Sequence, residues 1–497
     1  MSNLRTQTLR GSVWTVIGTV ANVPLAIGLT LVLARALSPQ GYGRFALLTF
    51  VVLLVNAVAG LGLTNVVQRR VSLDHGRADP AAQRRWLQMA QTVCTGQMIV
   101  VLAACAWLFH GSAPLLLITG YVVLNWLSTP AATLLTSTNQ SAIVARTAMV
   151  SAVVSAAVEI CLAVWSHNPD LVLASGMLAG TVPHLALIWL AGPRAMTRPG
   201  WGVVPISRSD WRFALTSLAS GQIAVLVFSR SELLFFGPTM AYDRGRFAAA
   251  GSIGARTSLL IDSLFGSIPA ALTTLHGRDE ADYHRGVAAL FRLSTVLFTV
   301  LFPSAFVCAV IAAPYVFPAQ YGDLRWWVLP LIAISLLQTA AQPALAAWSA
   351  RGSADVPLAA GIAGAVIDVV LSASLVPSYG LRGAVIANVG AGLVYLIVIA
   401  WAFRTNIARS LYRTYLVTTA VATALGAAVA TGVALMFATR DPLVLAAIPA
   451  ALLLSLMVLA IVRPLGAADA ELLGSGRLGG LVRRTLQWCV RTRSTPV

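Results

Sequence analysis

The sequence predicts an all-α integral membrane protein with about 14 transmembrane helices, arranged as two six-helix lobes in parallel pseudo-repeat plus two extra C-terminal helices. Of its 497 residues, 58% are hydrophobic and 10% are charged, and the mean hydropathy is +0.81. Soluble domains carry about 25% charged residues. Apolar runs of about 20 residues, long enough to cross a bilayer as helices, follow one another along the chain. The letters GRFA occur twice, beginning at Gly43 and at Gly245.

Fourteen candidate spans result when the chain is divided at its polar and Gly/Pro-rich connectors. Each is long enough to cross the membrane as a helix. The first run is too long for the core of a signal peptide, so we interpret it as a retained span. In chain order the candidate spans cover residues 11–34, 45–66, 88–109, 115–136, 146–165, 171–192, 213–236, 247–272, 287–313, 326–349, 357–376, 383–403, 415–437 and 443–462.

The arginines predict the orientation of these spans, because cytoplasmic connectors are enriched in basic residues. With the N-terminus placed in the cytoplasm, 17 arginines fall in inner connectors and 7 in outer connectors. The first inner connector alone holds Arg69, Arg70, Arg77, Arg84 and Arg85. We therefore expect a multi-pass protein of the cytoplasmic membrane with both termini on the cytoplasmic side.

The two GRFA segments suggest the division into lobes, since each lies at an outer connector that enters an even-numbered span. They are 202 residues apart, and Arg10 and Arg212 match at the same offset. We interpret residues 36–48 as the outer hairpin that joins spans 1 and 2. The predicted units are an N-terminal six-helix lobe (1–210), a C-terminal six-helix lobe (211–404), two additional helices (405–463) and a basic cytoplasmic tail (464–497). Parallel repeats related by an axis along the membrane normal are a known transporter plan.

Composition and residue spacing also exclude several kinds of functional site. All 34 basic residues are arginine, which excludes a Walker A loop and a lysine Schiff base. Topology accounts for most of the net charge of +17, so nucleic acid is not needed as a partner. Histidines and cysteines show no metal-ligand spacing, and we expect neither a metal site nor catalytic residues. The tail either lies on anionic membrane lipids as a basic amphipathic segment or stays solvated.

Three stretches resemble the polysaccharide (oligosaccharide) flippase family of the multidrug/oligosaccharidyl-lipid/polysaccharide exporter superfamily. The first, residues 11–48, has a Gly-x-x-Trp start and a Ser-Pro-x-x-Tyr-Gly turn. The second, residues 229–250, reads SRSELLFFGPTMAYDRGRFAAA and is similar to the Arg-x-Asp and Gly-x-Tyr-x-x-Ala patterns of the family. The third, residues 374–387, reads SLVPSYGLRGAVIA. This sequence departs from the family at Glu232, where aspartate is usual, and at Phe247, where tyrosine is usual.

The resemblance implies a function in cell-surface polysaccharide biosynthesis. Such proteins move a polyprenyl-pyrophosphate-linked oligosaccharide from the inner to the outer leaflet by alternating access, without enzymatic activity. The implied partners are the lipid-linked glycan, membrane lipids and other polysaccharide-assembly proteins. Two alternatives stay open: a multidrug or organic-cation antiporter of the same superfamily, and a membrane glycan polymerase or glycosyltransferase.

Charged residues inside the predicted spans are the candidate functional residues. A charge at the centre of the bilayer costs roughly 2.5–3.5 kcal/mol, so it indicates a cavity, a partner or both. Arg230 and Arg256 are candidates for binding the diphosphate, because guanidinium groups bind phosphate oxygens bidentately. Glu232 is a candidate in the same region, and it either contributes to substrate binding or forms a structural ion pair with Arg256.

The remaining intramembrane carboxylates suggest ion coupling. Asp368, Glu159 and Asp262 are candidates for binding a proton or a sodium ion that drives the cycle, with hydrogen-bonded structural carboxylates as the alternative. No other cofactor is expected. Asn22 and Pro24 lie near the middle of the first span, where proline removes a helix hydrogen bond. They are candidates for a hinge, although static kinks are also common in membrane helices.

Overall fold

A computed structural model describes residues 25–60, 62–76, 79–108, 114–137, 140–191, 202, 204–219, 230–265, 272, 280–351, 355–403, 409–436 and 447–462. In these ranges the regular elements are helices, in agreement with the predicted all-α class. They are α1 (Leu25–Ala36), α2 (Ser38–Ala59), α3 (Leu63–Gly76), α4 (Pro80–Leu108), α5 (Pro114–Ser137), α6 (Ser141–Ser166), α7 (Pro169–Thr181), α8 (Leu185–Ala191), α9 (Arg208–Ser217), α10 (Ala241–Phe265), α11 (Glu280–Val316), α12 (Arg325–Thr339), α13 (Gln342–Ala350), α14 (Asp355–Tyr379), α15 (Leu381–Phe403), α16 (Arg409–Met436) and α17 (Ala447–Val462).

The helices have the length and composition of membrane spans. Within the described ranges, ten segments are long and apolar enough to cross a bilayer, and α1 and α17 are shorter apolar helices. Many large apolar side chains face outwards on these segments, and Trp107 and Trp165 are each 81% exposed. Such exposure suits contact with lipid. The chain is therefore a multi-pass membrane protein, while the count of fourteen helices and the two lobes remain predictions.

Several helices begin five or more residues earlier than the apolar pattern predicts, α2 and α10 among them. The predicted spans start at residues 45 and 247, whereas α2 starts at Ser38 and α10 at Ala241. Most of the predicted outer hairpin is thus the first turns of α2. The chain reverses over Leu37 and Ser38, where Ser38 has a φ of 60°, and Pro39 occupies the helix start, where its missing N–H costs no hydrogen bond.

Proline interrupts some spans and not others. The span that begins at Pro169 passes through a 3₁₀ turn, Val182–His184, which contains Pro183. Pro130 and Pro303 lie inside α5 and α11, which continue through them. The break between α12 and α13 falls at residues 340–341. The proposed hinge residues, Asn22 and Pro24, lie outside the described residues.

The two GRFA segments pack against each other. Near their starts, α2 and α10 approach so closely that a Cβ on Gly43 would lie 2.7 Å from the backbone nitrogen of Gly245. A Cβ on Gly245 would lie 1.8 Å from the carbonyl oxygen of Pro39. Only glycine, which has no side chain, permits this approach. The repeated motif therefore marks a helix crossing between the N-terminal and C-terminal parts of the chain.

Further contacts close this end of the molecule, which is the predicted outer end. The hydroxyl of Tyr321 donates to the carbonyl oxygen of Ser38 at 3.2 Å. Arg35 donates to the carbonyl oxygen of Tyr315 at 3.1 Å. The rings of Tyr42 and Tyr321 meet edge to face, with centroids 6.3 Å apart. The outer ends of α1 and α2 are thus held to the end of α11 and the turn that follows it.

At the opposite, predicted inner end, α9 packs against α3. Ala214 is fully buried, and its carbonyl oxygen would lie 2.1 Å from a Cβ on Gly62. The guanidinium of Arg69 lies over the ring of Phe213, 4.9 Å from its centroid. Asp210 is buried beside Arg70. The described residues of the N-terminal and C-terminal parts therefore make contact at this end as well as at the predicted outer end.

Candidate functional site

The candidate site is a pair of buried carboxyl groups, Glu232 and Asp368. Glu232 lies in a 3₁₀ turn, Ser231–Leu234, which contacts α2, α10, α14 and α15. Asp368 lies near the middle of α14. Both residues have 0% of their surface exposed. The turn and the helix therefore bring together two acidic residues that are 136 positions apart in the sequence.

A neutral side chain donates a hydrogen bond to each of the two carboxyl groups. The amide nitrogen Nδ2 of Asn388, on α15, donates to Oε1 of Glu232 at 2.7 Å. The hydroxyl of Ser231 donates to Oδ2 of Asp368. The other oxygens, Oε2 of Glu232 and Oδ1 of Asp368, have no hydrogen-bond partner among the described residues. The carboxyl groups are adjacent and interact electrostatically.

Such a pair favours binding a cation. Two adjacent carboxylates, both removed from water, repel each other and lose their hydration. A proton on one oxygen would let one acid donate a hydrogen bond to the other. A small hard cation would instead be bound by the two unpartnered oxygens, because such ions prefer oxygen ligands. The geometry therefore suits a proton or sodium ion.

The structure locates some of the other predicted residues. Arg230 precedes the 3₁₀ turn, next to the carboxyl pair in sequence. Arg256 and Asp262 lie on α10, but their side chains are outside the described part of the structure. Glu159 belongs to a different contact, between α6 and α7, where the hydroxyl of Ser155 donates to its Oε1 at 2.9 Å. The described neighbours of Glu232 are thus Asn388 and Asp368, and its predicted pairing with Arg256 stays untested.

Sequence reasoning missed two residues of this site, Ser231 and Asn388. Both are neutral, whereas the sequence criterion for a candidate residue is a charge inside an apolar span. Asn388 offered a signal, because it is an amide in the otherwise apolar run 383–403. In a membrane span such a residue indicates a hydrogen bond to another helix. Ser231 offered none, since serine is common in membrane helices.

An ion pair joins α3 and α9 at the predicted inner end. Arg70 donates two hydrogen bonds to Asp210, from Nε at 3.0 Å and from Nη2 at 2.7 Å. The hydroxyl of Ser207 donates to Oδ2 of Asp210 at 2.6 Å. Burial acts to raise the pKa of Asp210, but the hydrogen bonds from Arg70 and Ser207 outweigh it and hold the pKa below its usual range. The Asp210 carboxylate is therefore charged at neutral pH.

Comparison with known proteins agrees with the membrane fold. Lipid II flippase MurJ in an inward closed conformation is 14% identical, with a TM-score of 0.63 over 90% of this chain and 98% of MurJ. A multidrug resistance MATE family transporter of the MOP superfamily, facing inward, is 17% identical, with a TM-score of 0.50 over 79% of this chain and 95% of that one. A mutant of the Vibrio cholerae MATE transporter VcmN is 15% identical, with a TM-score of 0.52 over 83% and 99%.

The family assignment rests on a match to a family model, since no curated protein sequence matches the chain. A family model described as polysaccharide biosynthesis protein matches residues 32–326, more than half of the chain. At such low identities the solved structures show the fold alone, which is that of membrane transporters. The match to the family model agrees with the resemblance drawn from the three motifs, and the chain belongs to the polysaccharide biosynthesis protein family.

Proposed function

We propose that this protein is a flippase for cell-surface polysaccharide biosynthesis. It moves a polyprenyl-pyrophosphate-linked oligosaccharide from the inner to the outer leaflet of the cytoplasmic membrane by alternating access between two six-helix lobes. Both termini lie in the cytoplasm, and the protein performs no catalysis. Family membership and the transporter fold support the general class, and the lipid-linked glycan is the substrate that the family resemblance implies.

The observation that carries the mechanism is the buried pair of Glu232 and Asp368. Moving a charged diphosphate through the membrane in one direction requires a coupled energy source, and the sequence has no Walker A loop to bind a nucleotide. A carboxyl pair that binds a proton or sodium ion provides that coupling. An ion can shift a conformational equilibrium only by its difference in affinity for the two states. The turn that bears Glu232 also contacts α2 of the N-terminal part, so relative movement of the two parts changes the surroundings of the pair.

The diphosphate is assigned to Arg230 and Arg256. Arginine binds phosphate oxygens through two parallel hydrogen bonds, and a cavity that accepts a diphosphate needs compensating positive charge. The closeness of Arg230 to Glu232 in sequence supports a link between substrate binding and ion binding. Structural ion pairing is the competing role for both arginines.

A reconstituted leaflet assay tests the proposal. Proteoliposomes containing a fluorescent lipid-linked oligosaccharide are given a proton or a sodium gradient, and an impermeant quencher measures the fraction in each leaflet. Glu232→Gln and Asp368→Asn should lose gradient-driven accumulation, each by at least about ten-fold. Asp74→Asn is the matched control, because it neutralises a buried carboxyl on α3, outside the pair and outside the predicted coupling residues.

Each outcome bears on a separate part of the proposal. Unchanged leaflet distribution with the wild type would exclude flippase activity for that substrate. Accumulation that is insensitive to both gradients, or equal loss in Asp74→Asn, would exclude coupling through the pair. Arg230→Ala and Arg256→Ala should weaken substrate binding, and full activity of both variants would leave them with structural roles.

An organic-cation antiporter is the second candidate function. The fold similarity to MATE transporters favours it, as does a buried acidic pair that suits cation exchange. Ethidium efflux from the same proteoliposomes separates the two functions, since the flippase should leave ethidium inside. A glycan polymerase is the third candidate, and it would lengthen the labelled oligosaccharide, which chromatography of the recovered lipid detects.

A further inference from the structure

One face of α9 is exposed and combines basic with apolar side chains. Arg208, Trp211, Arg212 and Leu215 are spaced i, i+3, i+4 and i+7, which places them on a single helix face. Trp211 is 39% exposed and Leu215 is 52% exposed. The Arg212 side chain is 73% exposed. We call these four residues the α9 stripe.

The opposite face of α9 is fixed to the protein. Asp210 is 2% exposed and carries the bidentate ion pair with Arg70, and Ala214 is fully buried on α3. Ser207 caps the helix by accepting a hydrogen bond from the backbone nitrogen of Asp210 at 3.2 Å. The helix therefore cannot turn the α9 stripe inwards without breaking these contacts.

The order of residues along the α9 stripe matches the layers of a bilayer surface. Helix α9 leads into the predicted seventh span, residues 213–236, so position along the helix corresponds to depth in the membrane. Arg208 comes first, Trp211 and Arg212 follow one turn later, and Leu215 lies one turn deeper. Arginine suits phosphate headgroups, tryptophan the interface and leucine the acyl chains.

We propose that the α9 stripe is a binding surface for the anionic headgroups of membrane phospholipids. Two exposed arginines provide the charge complementarity, and Trp211 with Leu215 provides the apolar contact beneath the headgroups. Basic residues near an anionic membrane surface each strengthen the attraction about five-fold. The occupant is the lipid surface itself, and its headgroups contact α9 next to the α3 ion pair.

Arg212 has a competitor for its guanidinium. Asp355, at the start of α14, accepts hydrogen bonds from Nη2 of Arg212 at 2.9 and 3.2 Å. Both side chains are mostly exposed, and exposed ion pairs contribute little stability. A lipid phosphate, which arginine also binds bidentately, therefore exchanges with the Asp355 carboxylate. Asp355→Asn removes the competitor and should strengthen lipid binding.

Lipid titration of the purified full-length protein tests this surface. Native mass spectrometry measures retained lipid after addition of phosphatidylglycerol or phosphatidylcholine, which differ in headgroup charge. The double variant Arg208→Gln/Arg212→Gln should lose phosphatidylglycerol affinity by about five-fold for each arginine removed, with phosphatidylcholine binding unchanged. Asp355→Asn should gain phosphatidylglycerol affinity. Arg413→Gln, an exposed arginine on α16, is the matched control.

The outcomes are decisive in both directions. Selective loss in the double variant together with the gain in Asp355→Asn supports the α9 stripe as a lipid surface. A loss per arginine in Arg413→Gln equal to that in the double variant would reduce the effect to general charge and overturn the proposal. Undiminished phosphatidylglycerol binding in the double variant would also overturn the proposal. The α9 stripe would then be assigned to a partner other than lipid. None of these measurements depends on transport of a glycan.

Discussion

At the scale of single residues, the partners of a buried carboxyl group distinguish a candidate functional residue from a structural one. Asp210 and Asp368 are both almost completely buried, yet their surroundings differ. Asp210 has a bidentate arginine and a serine hydroxyl, so its charge is compensated. Asp368 has a serine hydroxyl and an adjacent carboxyl group. The compensated Asp210 holds two helices together, whereas the pair of acids at Asp368 is the basis for the proposed binding of a proton or sodium ion.

The Asp210 ion pair predicts a pH dependence of stability. Its folded-state pKa lies below the usual value, so its stabilisation is fully present above the unfolded pKa of about 3.9 and is lost as the pH falls through the folded value. Asp210→Asn should therefore lower the unfolding temperature of the purified protein at pH 7, by an amount equivalent to about 1–3 kcal/mol.

The difference between wild type and Asp210→Asn should stay constant from pH 8 to about pH 5 and shrink below about pH 4. Thermal unfolding measured across this range in a detergent that is stable to acid checks the prediction. Asp355→Asn is the matched control, because its ion pair with Arg212 is exposed. A difference for Asp210→Asn that grows as the pH falls would contradict the charged state assigned to Asp210.

At the scale of elements, the close helix crossing of α2 and α10 depends on glycine. The expected result of Gly245→Ala is a loss of stability of about 1–3 kcal/mol, the usual cost of overpacking, because the new Cβ meets the backbone of Pro39. Gly251→Ala is the control on the same helix, where a Cβ meets nothing within 4 Å. Alanine favours helix by up to about 1 kcal/mol over glycine, so Gly251→Ala should not destabilise.

Thermal unfolding of both variants measures this difference. Equal behaviour of Gly245→Ala and Gly251→Ala would show that the crossing is not tightly packed. A second measurement is the labelling of a cysteine introduced at Tyr42, which is 5% exposed beneath the crossing. An impermeant maleimide should react faster in Gly245→Ala than in Gly251→Ala.

The sequence predicts elements better than it predicts their ends. Apolar periodicity located the membrane-spanning helices that the structure describes, because the length of the hydrocarbon core sets the length of each run. It placed the start of α2 at residue 45, since Gly41 and Gly43 resemble a turn, although both are helical. The sequence shows the repeat of GRFA, whereas the contact between Gly43 and Gly245 depends on three-dimensional packing. The sequence likewise does not show that Glu232 and Asp368 lie together, because they are 136 positions apart and only the packing of the chain brings them into contact.

At the scale of the whole molecule, contacts join the N-terminal and C-terminal parts at both predicted ends. Gly43 and Gly245 meet at the predicted outer end, and the guanidinium of Arg69 lies over the ring of Phe213 at the predicted inner end. Alternating access requires these contacts to open in turn, because a passage open at both ends would dissipate the ion gradient. The proposed transport cycle therefore needs relative movement of the two parts, while contacts within each part persist.

Cross-linking tests that requirement. In a background without native cysteines, the variant Arg35→Cys/Tyr315→Cys places one cysteine on α1 and the other near the outer end of α11. These two positions are close, because Arg35 donates a hydrogen bond to the carbonyl oxygen of Tyr315. A short bifunctional maleimide should abolish glycan transport by this variant. Arg44→Cys/Asp170→Cys is the control, because it replaces an ion pair between α2 and α7, within the N-terminal part. Its cross-linked form should retain most of its transport activity. If instead both cross-linked pairs transport at the rate of the unlinked protein, the two parts do not separate at this end, and alternating access through this interface is wrong.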